Sequence, residues 1–153
     1  MLKQMRRLFL LPILLGSTLV ATNSITPSAN ADEIWMSEGR TIQWIHSKGS
    51  TAIFKMQTLG GRQIYFHIEG LAYDVSGNRG FYNGYWAEED NGRRNCSTRR
   101  LLTGRAFGTS SNWGNLSINF TSNSFPYSWT ALLGKCNGRF NERIEAVPMV
   151  QAN

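Results

Sequence analysis

Histidine and cysteine are scarce in this sequence: 153 residues hold two of each, His46, His67, Cys96 and Cys136. The cysteines lack a C-x-x-C spacing and are expected to be oxidised, which leaves two separated histidines, too few ligands to close a zinc site, so neither a metal nor a cofactor is expected. No G-x-S-x-G turn is present to lift a serine nucleophile. The carboxylates of Glu88, Glu89 and Asp90 stand side by side and do not alternate as a calcium loop requires; they are expected to form a solvated acidic turn. Beyond the first thirty or so residues, no stretch repeats apolar side chains every three to four positions, which argues against an amphipathic helix. Internal repeats, low-complexity tracts and a second domain are also missing.

The N-terminus has a different character. Lys3, Arg6 and Arg7 precede an apolar run of 13 residues, Leu8 to Val20, interrupted by Pro12 and Gly16. A bilayer-spanning helix needs about 20 apolar residues, so this run is too short to be an anchor. Ala29-Asn30-Ala31 offers small residues at both positions a signal peptidase reads. The pattern predicts a signal peptide over residues 1–31, cleaved to leave Asp32 to Asn153 as one domain, secreted or periplasmic. No cysteine near that point would take a lipid. Losing Lys3, Arg6 and Arg7 lowers the formal charge from +6 to +3, so the pI near 9.7 overstates the basicity of the exported part. In an oxidising compartment Cys96 and Cys136 are expected to pair. Closing a loop of about 40 residues stabilises by roughly 4 kcal/mol in the chain-entropy picture.

What recurs in place of helical spacing is alternation. Gln63 to Glu69 (QIYFHIE) puts Ile64, Phe66 and Ile68 on one face and Gln63, Tyr65, His67 and Glu69 on the other. Asn115 to Thr121 (NLSINFT) sets Leu116, Ile118 and Phe120 against four polar side chains. Side chains alternate across a strand, so each run has one face for a core and one for water. Noisier runs cover Thr41–His46, Thr51–Thr58, Gly80–Trp86, Arg99–Phe107, Ser128–Cys136 and Arg143–Val150, with turn formers such as Lys48-Gly49-Ser50, Gly60-Gly61 and Asn137-Gly138 between strands. About eight hairpin-linked strands predict an all-β fold: a small antiparallel up-and-down barrel, or alternatively a two-sheet sandwich. Asp32 to Gly39 and Gln151 to Asn153 are expected to be frayed ends. In strand number, size and export the chain is similar to the avidin and lipocalin group of ligand-binding barrels, a likeness of shape that carries no motif. Shape alone does not fix function.

The richest chemical feature is aromatic. Trp35, Trp44, Trp86, Trp113 and Trp129 all follow the leader, with five tyrosines. Indole presents a broad apolar face and one N–H donor, which suits sugar rings and flat ligands. In Gly80 to Trp86, Tyr82 and Trp86 share one strand face while Phe81 and Tyr85 share the other, so the four cannot all enter one core. The leading expectation is an exported, non-enzymatic binding module for a small molecule or glycan, contacted by Trp44, Tyr82, Trp86, Trp113 and Trp129. A protein-facing inhibitor or envelope component is the alternative. A secreted ribonuclease-like hydrolase is the third, with His67 and Glu69 on one strand face and an arginine steadying phosphate. Arg93, Arg94, Arg99 and Arg100 surround Cys96 and would suit an anionic partner, although Glu88 to Asp90 lie close enough to neutralise them. Three N-x-S/T triplets, at Asn95, Asn115 and Asn119, fit the glycosylation pattern.

Overall fold

A computed structural model describes residues 33–73, 80–90, 92, 95–102, 108–121 and 127–149. The proposed leader, Arg93, Arg94 and the last residues of the chain lie outside them. Eight strands close an antiparallel barrel: β1 (Ile34–Ser37), β2 (Arg40–Lys48), β3 (Thr51–Gln57), β4 (Gln63–Ile68), β5 (Phe81–Glu88), β8 (Trp113–Phe120), β9 (Trp129–Gly134) and β10 (Phe140–Pro148). Each pairs with the next barrel strand in the chain, and β1 pairs with β10 to complete the ring. The remaining strands, β6 (Arg100–Leu101) and β7 (Thr109–Ser110), form a separate two-stranded ribbon. The barrel expectation therefore holds, with one exchange of parts. Ile34–Ser37, expected to fray, is a wall strand, whereas the described part of the alternating run at Arg99–Phe107 pairs with β7 and not with the wall, its residues 103–107 lying outside the described residues.

Alternation decides which side chains point inward. On β3 and β4, Phe54, Met56, Phe66 and Ile68 face the interior; on β8 and β9, Leu116, Ile118, Phe120, Trp129, Ala131 and Leu133 do so. The centre is aromatic. Trp35 stacks on Phe54 at 4.9 Å between ring centroids, Trp44 meets Phe54 at 5.4 Å, and Trp129 meets Trp35 edge-on at 6.2 Å. Rings of this size fill a barrel of eight strands, whose interior is only wide enough for side chains.

Two local features set the closure. Glu38 and Gly39 both take positive φ, 47° and 75°, which gives the tight hairpin that turns β1 into β2. Gly114 has no side chain because there is no room for one: a Cβ would overlap the Gly134 carbonyl and crowd Trp86 Nε1 at 2.6 Å. That space lets the Trp86 indole donate to the Gly134 carbonyl at 2.8 Å, tying β5 to the end of β9.

Between β5 and β8 the chain leaves the wall and folds back over its outside, as an arm containing β6 and β7. Cys96 and Cys136 are joined, with Cα atoms 5.7 Å apart, fastening the arm to the turn after β9. No helix among the described residues is long and apolar enough to cross a membrane.

Candidate functional site

The outer face of β2–β5 is built in rows by the strand register. Lys48 lies opposite Thr51, and the pairing of Ala52 with Ile68 brings Thr51 beside Glu69. One row along, His46, Ile53, His67, Tyr85 and Asn115 stand side by side across five strands. The next row includes Tyr65, Ala87 and Trp113. Within these rows His67, Tyr85 and Trp113 are covered by the arm. Trp113 is 2 % exposed and forms a second small core with Ala87 and Cys96, against which Tyr85, Leu102 and Cys136 pack.

Polar contacts hold the arm in place. Trp113 Nε1 donates to the Thr98 carbonyl at 2.9 Å, and the Arg100 guanidinium lies over the Trp113 and Tyr85 rings at 4.8 and 5.5 Å. Asp90 accepts hydrogen bonds from Ser110 Oγ at 2.9 Å and Ser111 N at 3.1 Å, and pairs with Arg99 at 2.6 Å. Partial burial pulls the Asp90 carboxyl upward, but the bonds from Ser110, Arg99 and Ser111 outweigh it and hold the group at about 2. Glu88 is buried, accepts from Arg62 Nε at 2.7 Å and also bonds Asn112 Nδ2. The expected solvated acidic turn is corrected on this point: Glu88 and Asp90 are the fastenings of the arm, because each finds donors arriving from a distant part of the chain.

Where the edge of the arm meets the wall, a pocket of about 130 Å³ remains. Its inner surface is Ile53, His67 and Tyr85, its cover Leu101, and its rim Lys48, Thr51 and Glu69. His67 is 4 % exposed and stacks on Tyr85 with centroids 4.2 Å apart and planes 11° apart. Its Nε2 lies 3.3 Å from the Leu102 carbonyl, an acceptor only, so Nε2 carries the proton and the neutral ring keeps its lone pair at Nδ1. Burial pushes the imidazole down to about 4. The Leu102 carbonyl acts the other way, and the charges of His46 and Lys48 add to the lowering. Burial also raises the Tyr85 phenol, with Arg100 opposing and Glu69 assisting. Lys48 and Glu69 are both exposed, and neither makes an ion pair within 4 Å among the described residues.

A wider groove of about 490 Å³ lies where β1 stops and β10 runs on, lined by Met36, Ser37, Glu38, Arg143, Glu145 and Val147. Its charges are already satisfied: Arg143 pairs with Glu145 at 2.7 Å, and Glu38 with Arg40 at 2.6 Å. No group of three or more His, Cys, Asp or Glu among the described residues is placed to hold a metal ion.

The residues singled out from the sequence fall into three places. Trp44 and Trp129 are buried in the barrel core, with Tyr82 and Trp86 half-buried against it. Trp113 is on the other side of the wall, beneath the arm. None of these five rings lines the pocket or the groove. His67 and Glu69 do share the pocket, as their spacing suggested. Arg99 is engaged with Asp90 and Thr109, and Arg100 with the two rings. Sequence reasoning missed Lys48, Thr51, Ile53 and Leu101. The Lys48-Gly49-Ser50-Thr51 hairpin contained the signal, since a two-residue turn places its flanking residues opposite each other. The chain matches no protein-family model, no curated protein and no solved structure.

Proposed function

We propose that this chain is an exported, non-enzymatic binding module that holds a small ligand on the outside of a solid barrel, in the pocket between the wall and the arm. The observation that carries this reading is the pairing of an apolar, aromatic floor with two opposite charges, Lys48 and Glu69, that have no ion-pair partner within 4 Å among the described residues. Binding sites are commonly mostly apolar with a few convergent polar groups. The pocket is small, but a cavity of roughly 150 Å³ admits benzene. Export is supported by the leader pattern and is consistent with the Cys96–Cys136 bond.

Hydrolysis is the weaker reading of the same residues. General acid–base catalysis works best with a group titrating near the working pH. An imidazole at about 4, with its Nε2 proton directed at a backbone carbonyl, is a poor proton donor or acceptor at neutrality.

The test is a two-dimensional NMR screen of the disulfide-bonded protein against a library of small fragments. Shifts are expected to concentrate on His67, Tyr85 and Leu101, and Tyr85→Leu is expected to abolish them. Hits that move only the interior tryptophans, or an absence of hits, would sink the reading.

A further inference from the structure

Resting on that reading of the pocket, we infer that its ligand is a free α-amino acid with a small apolar side chain, its ammonium held by Glu69 and its carboxylate by Lys48 across Thr51. The rim is one row of three adjacent strands. Neighbouring strands lie about 4.8 Å apart, so the Lys48 and Glu69 backbones are separated by about 10 Å with Thr51 between them. Two long side chains converging from that distance leave room for a head group one carbon across, and the Thr51 hydroxyl stands between them as a donor to the carboxylate.

Charge balance selects against simpler ligands. A lone carboxylate would be drawn to Lys48 and repelled by Glu69; a lone amine would meet the reverse. A zwitterion satisfies both, which no described residue does: Lys48 and Glu69 line one pocket, and neither has an ion-pair partner within 4 Å among the described residues. The wider groove beside β10 lacks this property, because each of its charged residues already has an ion-pair partner. Below the rim, Ile53, Leu101 and the stacked His67–Tyr85 rings give an apolar seat. The volume of about 130 Å³ matches a branched aliphatic side chain and is too small for a nucleotide or an oligosaccharide.

The experiment titrates the disulfide-bonded protein with L-valine, isovalerate and isobutylamine, following the NMR signals of His67 and Tyr85. The three compounds share the four-carbon isobutyl unit; the second lacks the ammonium and the third the carboxylate. Because the rim charges are exposed and screened, each is expected to contribute up to about fivefold in affinity. Valine should therefore bind about fivefold more tightly than either analogue. Lys48→Gln should erase its advantage over isobutylamine, and Glu69→Gln its advantage over isovalerate. Equal binding of valine and one analogue overturns the zwitterion while leaving the pocket a ligand site. Silence from all three at His67 and Tyr85 overturns the inference, and failure of the fragment screen as well would remove the pocket reading beneath it.

Discussion

The barrel interior and the arm across its outer wall are built from similar rings but held by different forces. Inside, Trp35, Trp44, Phe54 and Trp129 contact one another and aliphatic neighbours, so stability there comes from apolar burial and close packing. Outside, Trp113, Tyr85 and His67 are covered by a ribbon of two short strands that has no core of its own. Its attachment relies on a disulfide, the carboxylates of Glu88 and Asp90, the second gathering donors from three residues, a guanidinium over two rings and a single imidazole contact. Packing does not respond to protons, whereas two of the arm's fastenings, the Asp90 carboxylate and the His67 imidazole, do. A closely packed interior and the pocket beneath the arm are thus separated by one thickness of sheet.

The largest expected effect breaks the interior. Phe54→Ala removes the ring at the centre of the aromatic cluster and should cost about 3–5 kcal/mol in urea unfolding. The whole barrel should melt together, because every wall strand contacts that core.

A smaller effect sharpens the contrast at His67. In the unfolded chain the imidazole takes a proton below about 6.5, while in the fold it resists until about 4. Stability from His67 is therefore complete above 6.5 and is lost as pH falls through this window, by roughly 3 kcal/mol in all. Glu33 acts with the opposite sign. Burial raises its carboxyl from 4.5 to about 7, so its contribution is lost as pH rises through that range. The two partly cancel in the wild-type protein. Unfolding free energies measured from pH 4 to 7 in a Glu33→Gln background should expose the His67 slope, and His67→Phe should flatten it. A slope that survives this substitution would assign it to another group.

The smallest effect concerns Asp90. Its depressed carboxyl stabilises the arm above 3.8 and ceases to do so as pH falls toward about 2. Asp90→Asn should cost under about 1 kcal/mol globally, since the pair with Arg99 is largely exposed. Amide exchange at Cys96 and Ser111 should quicken while that of Ile118 and Ala131 stays unchanged. Equal acceleration in both regions would show that arm and barrel open as one unit.

Strand-level order was legible wherever alternation was clean. β4 and β8 could be read to within a residue or two, because Ile64, Phe66, Leu116 and Ile118 alternate with polar partners. β1 was not legible. Ile34 to Ser37 is only four residues long and apolar on both faces over its first three, and its place in the wall depends on β2 on one side and, on the other, on Val147 and Pro148, more than a hundred residues away. In the run at Arg99–Phe107 the described strand, Arg100–Leu101, joins β7 and not the wall, because alternation does not say which neighbour a strand pairs with. The polar face of β4 read as solvent-facing, yet Tyr65 and His67 are buried, because half-polar rings can seat an arm as readily as they meet water. Half of the pocket could be anticipated from His67 and Glu69 on one face. The other half needed the register that brings Lys48 and Tyr85 alongside.

The bridge between residues 96 and 136 has one further consequence. The chain between its two ends includes part of the arm together with all of β8 and β9. A single peptide cut anywhere in that stretch, after Arg99 or Arg100 for instance, leaves both fragments covalently attached and two neighbouring staves of the wall still tethered at one end. A nick before residue 96 has no such safeguard. Proteolysis of the arm beyond Cys96 would therefore alter the covering of the pocket without dividing the molecule.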